Sequence, residues 1–138
     1  MLSMLAIKQQ LCRLLSFIPP GSRVVCVDEP LHRNIGDHLI HLGMERFFRE
    51  HGMRVAARVH RYNYSRRWLG RALSAQTILV CSGGGHLGNL YPWHQALRAQ
   101  LMVDFPHHRI VILPQSLYFS RPESRHPFVS QFNRHPDC

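Results

Sequence analysis

Apolar residues fall along this chain in two alternating patterns. Arg23–Asp28 (RVVCVD), Thr77–Cys81 (TILVC) and Arg109–Leu113 (RIVIL) are apolar at nearly every position and bounded by Gly, Pro, Asn or Gln. Runs this short and this uniformly apolar predict strands of a parallel sheet covered on both faces. Arg54–His60 (RVAARVH) alternates and predicts another strand. Between these runs, apolar positions recur every three or four residues. The stretch Asp37–His51 puts Ile40, Met44, Phe47 and Phe48 on one face of a helix, with Gly52 where a C′ glycine belongs. Ser65–Ser74 predicts a helix turning Trp68, Leu69 and Leu73 inward. Pro92 sits in the first turn of a helix that runs to Val103 and is ended by Phe105-Pro106, and Pro127–Arg134 predicts a last helix. Strand and helix alternating in this way predict an α/β fold, a Rossmann-like parallel sheet with helices on both faces. The alternation calls for one more strand after the last helix.

The first twenty residues follow a different rule. Ile7, Leu11, Leu14, Leu15 and Ile18 recur at helical spacing, so residues 1–20 predict an amphipathic helix, either packed on the domain or lying on a membrane surface. Lys8, Gln9, Gln10 and Arg13 interrupt the apolar run, which does not read as a signal peptide. No segment reaches the ~20 apolar residues needed to span a bilayer. Residues 21–138 then form the Rossmann-like domain.

Charge narrows the partners. Seventeen Lys and Arg against eight Asp and Glu give a net charge of +9, and Lys8 is the sole lysine. The arginine fork suits phosphate and carboxylate. The excess fits an anionic membrane surface or a small phosphorylated substrate. Nucleic acid is not expected, because no recognition helix or RNA-binding aromatic signature is present. The four cysteines form no C-x-x-C pair, and Cys26 and Cys81 lie inside strand-like runs as small buried hydrophobes. No short-spaced Cys/His set is present, so no metal is expected.

In folds of this kind ligands gather at the carboxyl ends of the strands. Three loops there carry candidate chemistry: Asn34–Asp37, Ser82–Tyr91 and Pro114–Ser116. The second contains Gly83, Gly85 and Gly88, which spell G-x-G-x-x-G. The glycines follow the third strand rather than the first, and Asp104 ends a helix rather than a strand, so a nucleotide-dependent Rossmann enzyme is only a minor alternative. Glycines here either let backbone N–H groups approach an anion or form a tight turn that binds nothing. Asp37 reads as an N-cap, as a ligand-facing carboxylate, or as both. His86 stands within the cleft and suits proton transfer or anion contact, with Tyr91 and His94 beside it. Gln115 and Ser116 either hydrogen-bond a sugar hydroxyl or shape the turn.

Asn34-Ile35-Gly36-Asp37, then GGGHLG (Gly83–Gly88) with Tyr91, then Pro114-Gln115-Ser116, in this order and with LYPWHQALR between, resemble the polysaccharide pyruvyl transferase family over roughly residues 22 to 137. The resemblance implies the N-terminal half of a two-domain, GT-B-type transferase with a second Rossmann-like half beyond. It implies transfer of the enolpyruvyl group of phosphoenolpyruvate to two hydroxyls of a sugar as a ketal, with phosphoenolpyruvate as co-substrate and no cofactor. The implied acceptor is a lipid-linked or polymeric saccharide of an exopolysaccharide or cell-wall polymer, handled in the cytoplasm at the inner face of the membrane. Asp37 and His86 become the candidate acid/base residues. Asn34, Gly36, Gly83, Gly84, Gly85, Asn89, Tyr91, Gln115 and Ser116 become candidates for substrate binding. Asn89 departs from the family, many members of which carry an acid there. The arginines and histidines that hold phosphoenolpyruvate lie in the family's second half. A lone half is therefore expected to be weak or inactive, with a homodimer or a partner chain completing the cleft. The alternative in another class is a non-catalytic half-domain that binds sugar or anion.

Overall fold

The computed structural model describes residues 3–138. Four strands, β1 (Arg23–Val27), β2 (Arg54–Val59), β3 (Ile78–Cys81) and β5 (Ile110–Ile112), form one parallel sheet in the order β2-β1-β3-β5. Helices α2 (Ile35–Glu50), α3 (Arg66–Ala72) and α4 (Pro92–Asp104) make the crossovers. The chain steps from β1 outward to β2, then returns to β3 on the other side of β1. The carboxyl ends of β1 and β3 therefore part around a crevice, the usual ligand position in such sheets.

Both faces of the sheet are covered, as its apolar strands require. Val25, Val27, Leu79 and Cys81 point to the side packed by Leu69 of α3 and by Leu97, Leu101 and Met102 of α4. Val24, Cys26, Ile78 and Val80 point to the side packed by Met44 and Phe48 of α2 and by Ile18. Gly52 ends α2 at φ +69°, as its position implied.

The N-terminal amphipathic helix is shorter than its periodicity predicted. Helix α1 (Met4–Cys12) passes into a 3₁₀ turn, Arg13–Ser16, and α1 itself buries no residue. Leu14, Leu15 and the fully buried Ile18 make the docking contact instead. Two inward-facing assignments also change. Trp68 is 44% exposed and Ile40 39% exposed, while Leu69 and Met44 take the core positions on their helices. No helix among the described residues is long and apolar enough to cross a membrane. After α5 (Arg125–Asn133), residues 135–137 run beside β5 without forming a strand, and the Ile110 N–H donates to the Asp137 carbonyl at 3.0 Å.

The largest correction concerns the two loops expected after β3 and β5, since both become strands. β4 (Gly84–Gly88) pairs in parallel with β6 (Gln115–Tyr118) as a second, two-stranded sheet. The β3–β5 pairing carries on across the joint: the Leu113 N–H donates to the Cys81 carbonyl at 3.1 Å and the Gly84 N–H to the Pro114 carbonyl at 3.2 Å. Pro114 has no N–H to donate, so the ladder kinks there rather than continuing straight. The glycines serve this kink. Gly84 and Gly88 have φ of +122° and +113°, and a Cβ on Gly83 would lie 2.9 Å from the Pro114 oxygen.

Candidate active site

Asp28 is where β1 ends. Its φ is +67°, the sole positive value outside glycine among the described residues, and Asp is one of the few side chains that tolerate it. The carboxylate is 2% exposed. Oδ1 accepts from His94 Nδ1 at 2.9 Å and Oδ2 accepts from Arg98 Nε at 2.9 Å. His94 and Arg98 lie one turn apart on α4, so a single helix face delivers both. Arg98 Nη2 also comes within 2.7 Å of Oδ2, but off the hydrogen-bond line, so it adds charge rather than a directed bond. Burial alone would raise the Asp28 carboxyl. The His94 hydrogen bond and the Arg98 charge outweigh it and hold the group below the ordinary carboxylate range.

The His94 ring stacks on His86, centroids 4.2 Å apart and planes 14° from parallel. His86 projects from β4 with its backbone fixed on both sides. Its N–H donates to Gln115 Oε1 at 3.1 Å, and its carbonyl accepts from the Gln95 amide. His86 Nε2 faces Asp37 Oδ1 at 3.6 Å, an ion-pair distance too long for a hydrogen bond. Nδ1 of His86 is buried with no partner among the described residues. Burial, and then the neighbouring His94, lower the His86 pKa, while Asp37 and Asp28 pull it the other way without prevailing. His86 is therefore neutral near pH 7 and able to accept or relay a proton.

Asp37 sits in the first turn of α2, but it is not the cap. Asn34 caps the helix, its Oδ1 accepting from the Gly36 N–H at 3.0 Å while its Nδ2 donates to Asp37 Oδ2 at 2.8 Å. The capping role expected of Asp37 thus passes to Asn34, and the Asp37 carboxylate is free to face His86 and His32. The outcome is a row of four groups across the crevice: Asp28, His94, His86, Asp37.

Asp28, His86 and His94 border a cavity of about 170 Å³. Its other walls are Glu29, Pro30, Leu31 and His32 after β1, His60, Arg61 and Tyr62 after β2, and Trp93 and Leu97 of α4. The Arg61 guanidinium stands 4.4 Å from the Tyr62 ring centre and 5.5 Å from that of Trp93. Imidazoles and a guanidinium suit an anionic ligand, the aromatic rings can stack on a sugar face, and the central row can move protons.

Residues 34–137 match the family model described as polysaccharide pyruvyl transferase. The chain belongs to the polysaccharide pyruvyl transferase family. It is 42% identical over 133 residues to a Bacillus subtilis (strain 168) protein named "Putative pyruvyl transferase EpsO", a match that covers 96% of this chain and 40% of EpsO. It is also 28% identical over 106 residues to "Pyruvyl transferase 1" of Schizosaccharomyces pombe (strain 972 / ATCC 24843), covering 73% of this chain and 26% of that protein. The chain thus spans less than half the length of either relative.

The three motif loops that carry the family resemblance do converge. Gly84 lies beside Asp37, a Cβ on it falling 3.9 Å from Oδ1, and Gln115 spans from the Ser82 carbonyl to the His86 N–H. Only His86 of the nominated residues borders the cavity, however. Asn89 is engaged in the scaffold, donating to Ser120 Oγ at 2.7 Å and accepting from the Ser120 N–H at 3.0 Å. Tyr91 packs edge-on to His86 at 5.5 Å. Gly85 and Ser116 are exposed, and Gly36 receives the Asn34 cap. Asp28 and Arg98 were not singled out from the sequence, and His94 only as a neighbour of the glycines. Their one legible signal is a histidine and an arginine at i, i+4 on the apolar stripe of α4 that also holds Leu97 and Leu101.

Gln115 links both loops through one side chain. Gln115→Ala is expected to cost about 1–3 kcal/mol by stranding the Ser82 carbonyl and the His86 N–H, measurable as a lower denaturant midpoint.

Proposed function

We propose that this chain forms one wall of a pyruvyl-transfer site. An enolpyruvyl group would pass from phosphoenolpyruvate to two hydroxyls of a saccharide, with Asp37 and His86 moving protons. The observation that carries this reading is the pair of stacked imidazoles held between two carboxylates at the crevice, in a chain of this family. The reaction removes a proton from each of two hydroxyls, delivers one to the methylene carbon and sends one out with phosphate. It therefore needs groups that titrate near neutrality and donors for an oxocarbenium-like centre. Arg61, His32 and His60 on the cavity rim suit the donor's anionic groups, and Trp93 and Tyr62 suit a sugar face. Because the chain spans 40% of EpsO, we assign the rest of a GT-B-type cleft, and full activity, to residues equivalent to the remainder of that relative. A seat at an anionic membrane surface belongs to the same reading. It is supported by exposed Met4 and Leu5 on α1 and Ile35, Leu39 and Leu42 on α2, in a chain of net charge +9.

The test uses the protein at the full length its gene encodes, supplied with phosphoenolpyruvate and a saccharide acceptor, with phosphate release followed by phosphorus NMR. Asp37→Asn is expected to lower kcat by about 10²–10⁴-fold with little change in KM, as loss of a proton-transfer group does. Saturable sugar binding with no phosphate release would instead identify a binding module.

A further inference from the structure

We propose that Asp28 is a positioning residue that fixes the His94 imidazole with its Nδ1–H toward Asp28, and so presents Nε2 to the cavity as a second proton carrier beside His86.

The geometry leaves Asp28 no capacity for substrate. One oxygen is occupied by His94 and the other by Arg98, and the carboxylate is enclosed. An ionised carboxylate only accepts hydrogen bonds, so the His94 nitrogen it meets must carry the proton. That sets the tautomer: neutral His94 has Nδ1–H and a lone pair on Nε2, the arrangement in which a carboxylate behind an imidazole makes it an oriented base. Arg98 makes this durable because its charge keeps Asp28 ionised despite burial. The ring has little freedom to turn, being stacked on His86 and edge-on to Tyr91 at 6.3 Å. A histidine that only filled the core would be enclosed, yet His94 is 16% exposed and borders the cavity. Asp28 lies upstream of residues 34–137, the stretch that matches the family model.

The chemical use of a second carrier rests on the transferase reading. The first hydroxyl oxygen bonds C2 of the donor as C3 gains a proton and becomes a methyl group. The second bonds C2 as the C2–O bond to phosphate breaks, with that electron pair leaving on the phosphate. One hydroxyl proton thus reappears on the methyl group and the other on the released phosphate. Two stacked imidazoles can each serve one of these transfers from a single wall of the cavity, His86 with Asp37 behind it and His94 with Asp28 behind it.

The decisive measurement on the tautomer needs no turnover. In full-length protein labelled with ¹⁵N, the neutral form of the His94 ring is expected to show a protonated Nδ1 and an unprotonated Nε2. A protonated Nε2 with bare Nδ1 would overturn the proposal. Asp28→Asn, whose side chain tolerates the positive φ, is expected to let the opposite tautomer appear and to lower kcat at least about 100-fold with KM nearly constant. His94→Gln leaves the Asp28–Arg98 pair in place and is expected to do the same to kcat while keeping the fold. A folded His94→Gln protein with unchanged kcat would sink the proton-carrier role. Wild-type protein with the expected tautomer but no phosphate release would remove the transferase reading while supporting the positioning of His94.

Discussion

Arg98→Met is expected to destabilise the fold by about 3–5 kcal/mol near neutral pH, the cost of leaving one member of a buried ion pair without its partner. Arg98 is the largest fully buried side chain in the described protein, and Asp28, whose carboxylate is 2% exposed, depends on it. Methionine fills similar space, so a missing charge rather than a cavity dominates the loss. The pH dependence separates the two. In the wild type the Asp28 carboxyl lies below its ordinary value of 3.8. Its contribution is complete above that value and fades as pH falls through the depressed one. Without Arg98, burial is opposed only by His94, and the folded-state pKa rises relative to the wild type. The stability gap between Arg98→Met and wild type should therefore be widest near pH 7 and narrow on acidification toward pH 4. A gap that stays constant with pH would point to packing instead. Adding Asp28→Asn to Arg98→Met should recover most of the loss, since the buried charge goes with it. Urea denaturation at several pH values reads all three.

The alternation of all-apolar runs with helical periodicity made the parallel sheet and its crossovers legible. Val24–Val27 and Ile78–Cys81 are buried on alternate sides and allow no other placement. What periodicity could not weigh was competition for the core between residues on one helix. Leu69 wins the interior position on α3, and Trp68 next to it turns to solvent because a seven-residue helix buries one position well. Asp37 looked like a cap because acids favour helix starts. Asn34 took the role because it stands just before the first helical residue, where its Oδ1 closes on the Gly36 N–H, and that leaves Asp37, inside the first turn, to face His86. The site was half legible. Asp37, His86 and the glycines lie in contiguous motifs, whereas Asp28 meets its partners across separations of 66 and 70 residues. No local pattern encodes such a contact. The glycine stretch was misread for a related reason. Glycines weaken a strand taken alone, so Gly84–Gly88 looked like a loop until a partner strand came close enough to need the missing side chains.

Gly88→Ala tests that account, and its expected effect is a loss of more than about 3 kcal/mol, combining a backbone conformation hostile to L residues with a direct overlap. An added Cβ would fall 1.8 Å from the Tyr118 oxygen and 2.8 Å from its carbonyl carbon. The obstruction is backbone, so no rotamer change relieves it, and β4 and β6 must separate. Separation breaks the hydrogen bond from the Asn89 N–H to the Tyr118 carbonyl and loosens the Asn89–Ser120 contacts beyond it. It also reaches the chemistry, because His86 stands two residues earlier on the same strand, anchored to Gln115 and stacked on His94. Even a Gly88→Ala protein that remains folded should therefore lose the close His86–His94 contact and its NMR signature. Gly85→Ala is the matched control, since nothing lies within 4 Å of its added Cβ. At an exposed position its effect should stay within about 0.5 kcal/mol. If both substitutions were equally mild, the glycines would be turn formers and the β4–β6 pairing would not set the position of His86. A large effect confined to Gly88 would mean that close backbone approach holds the central imidazole in place.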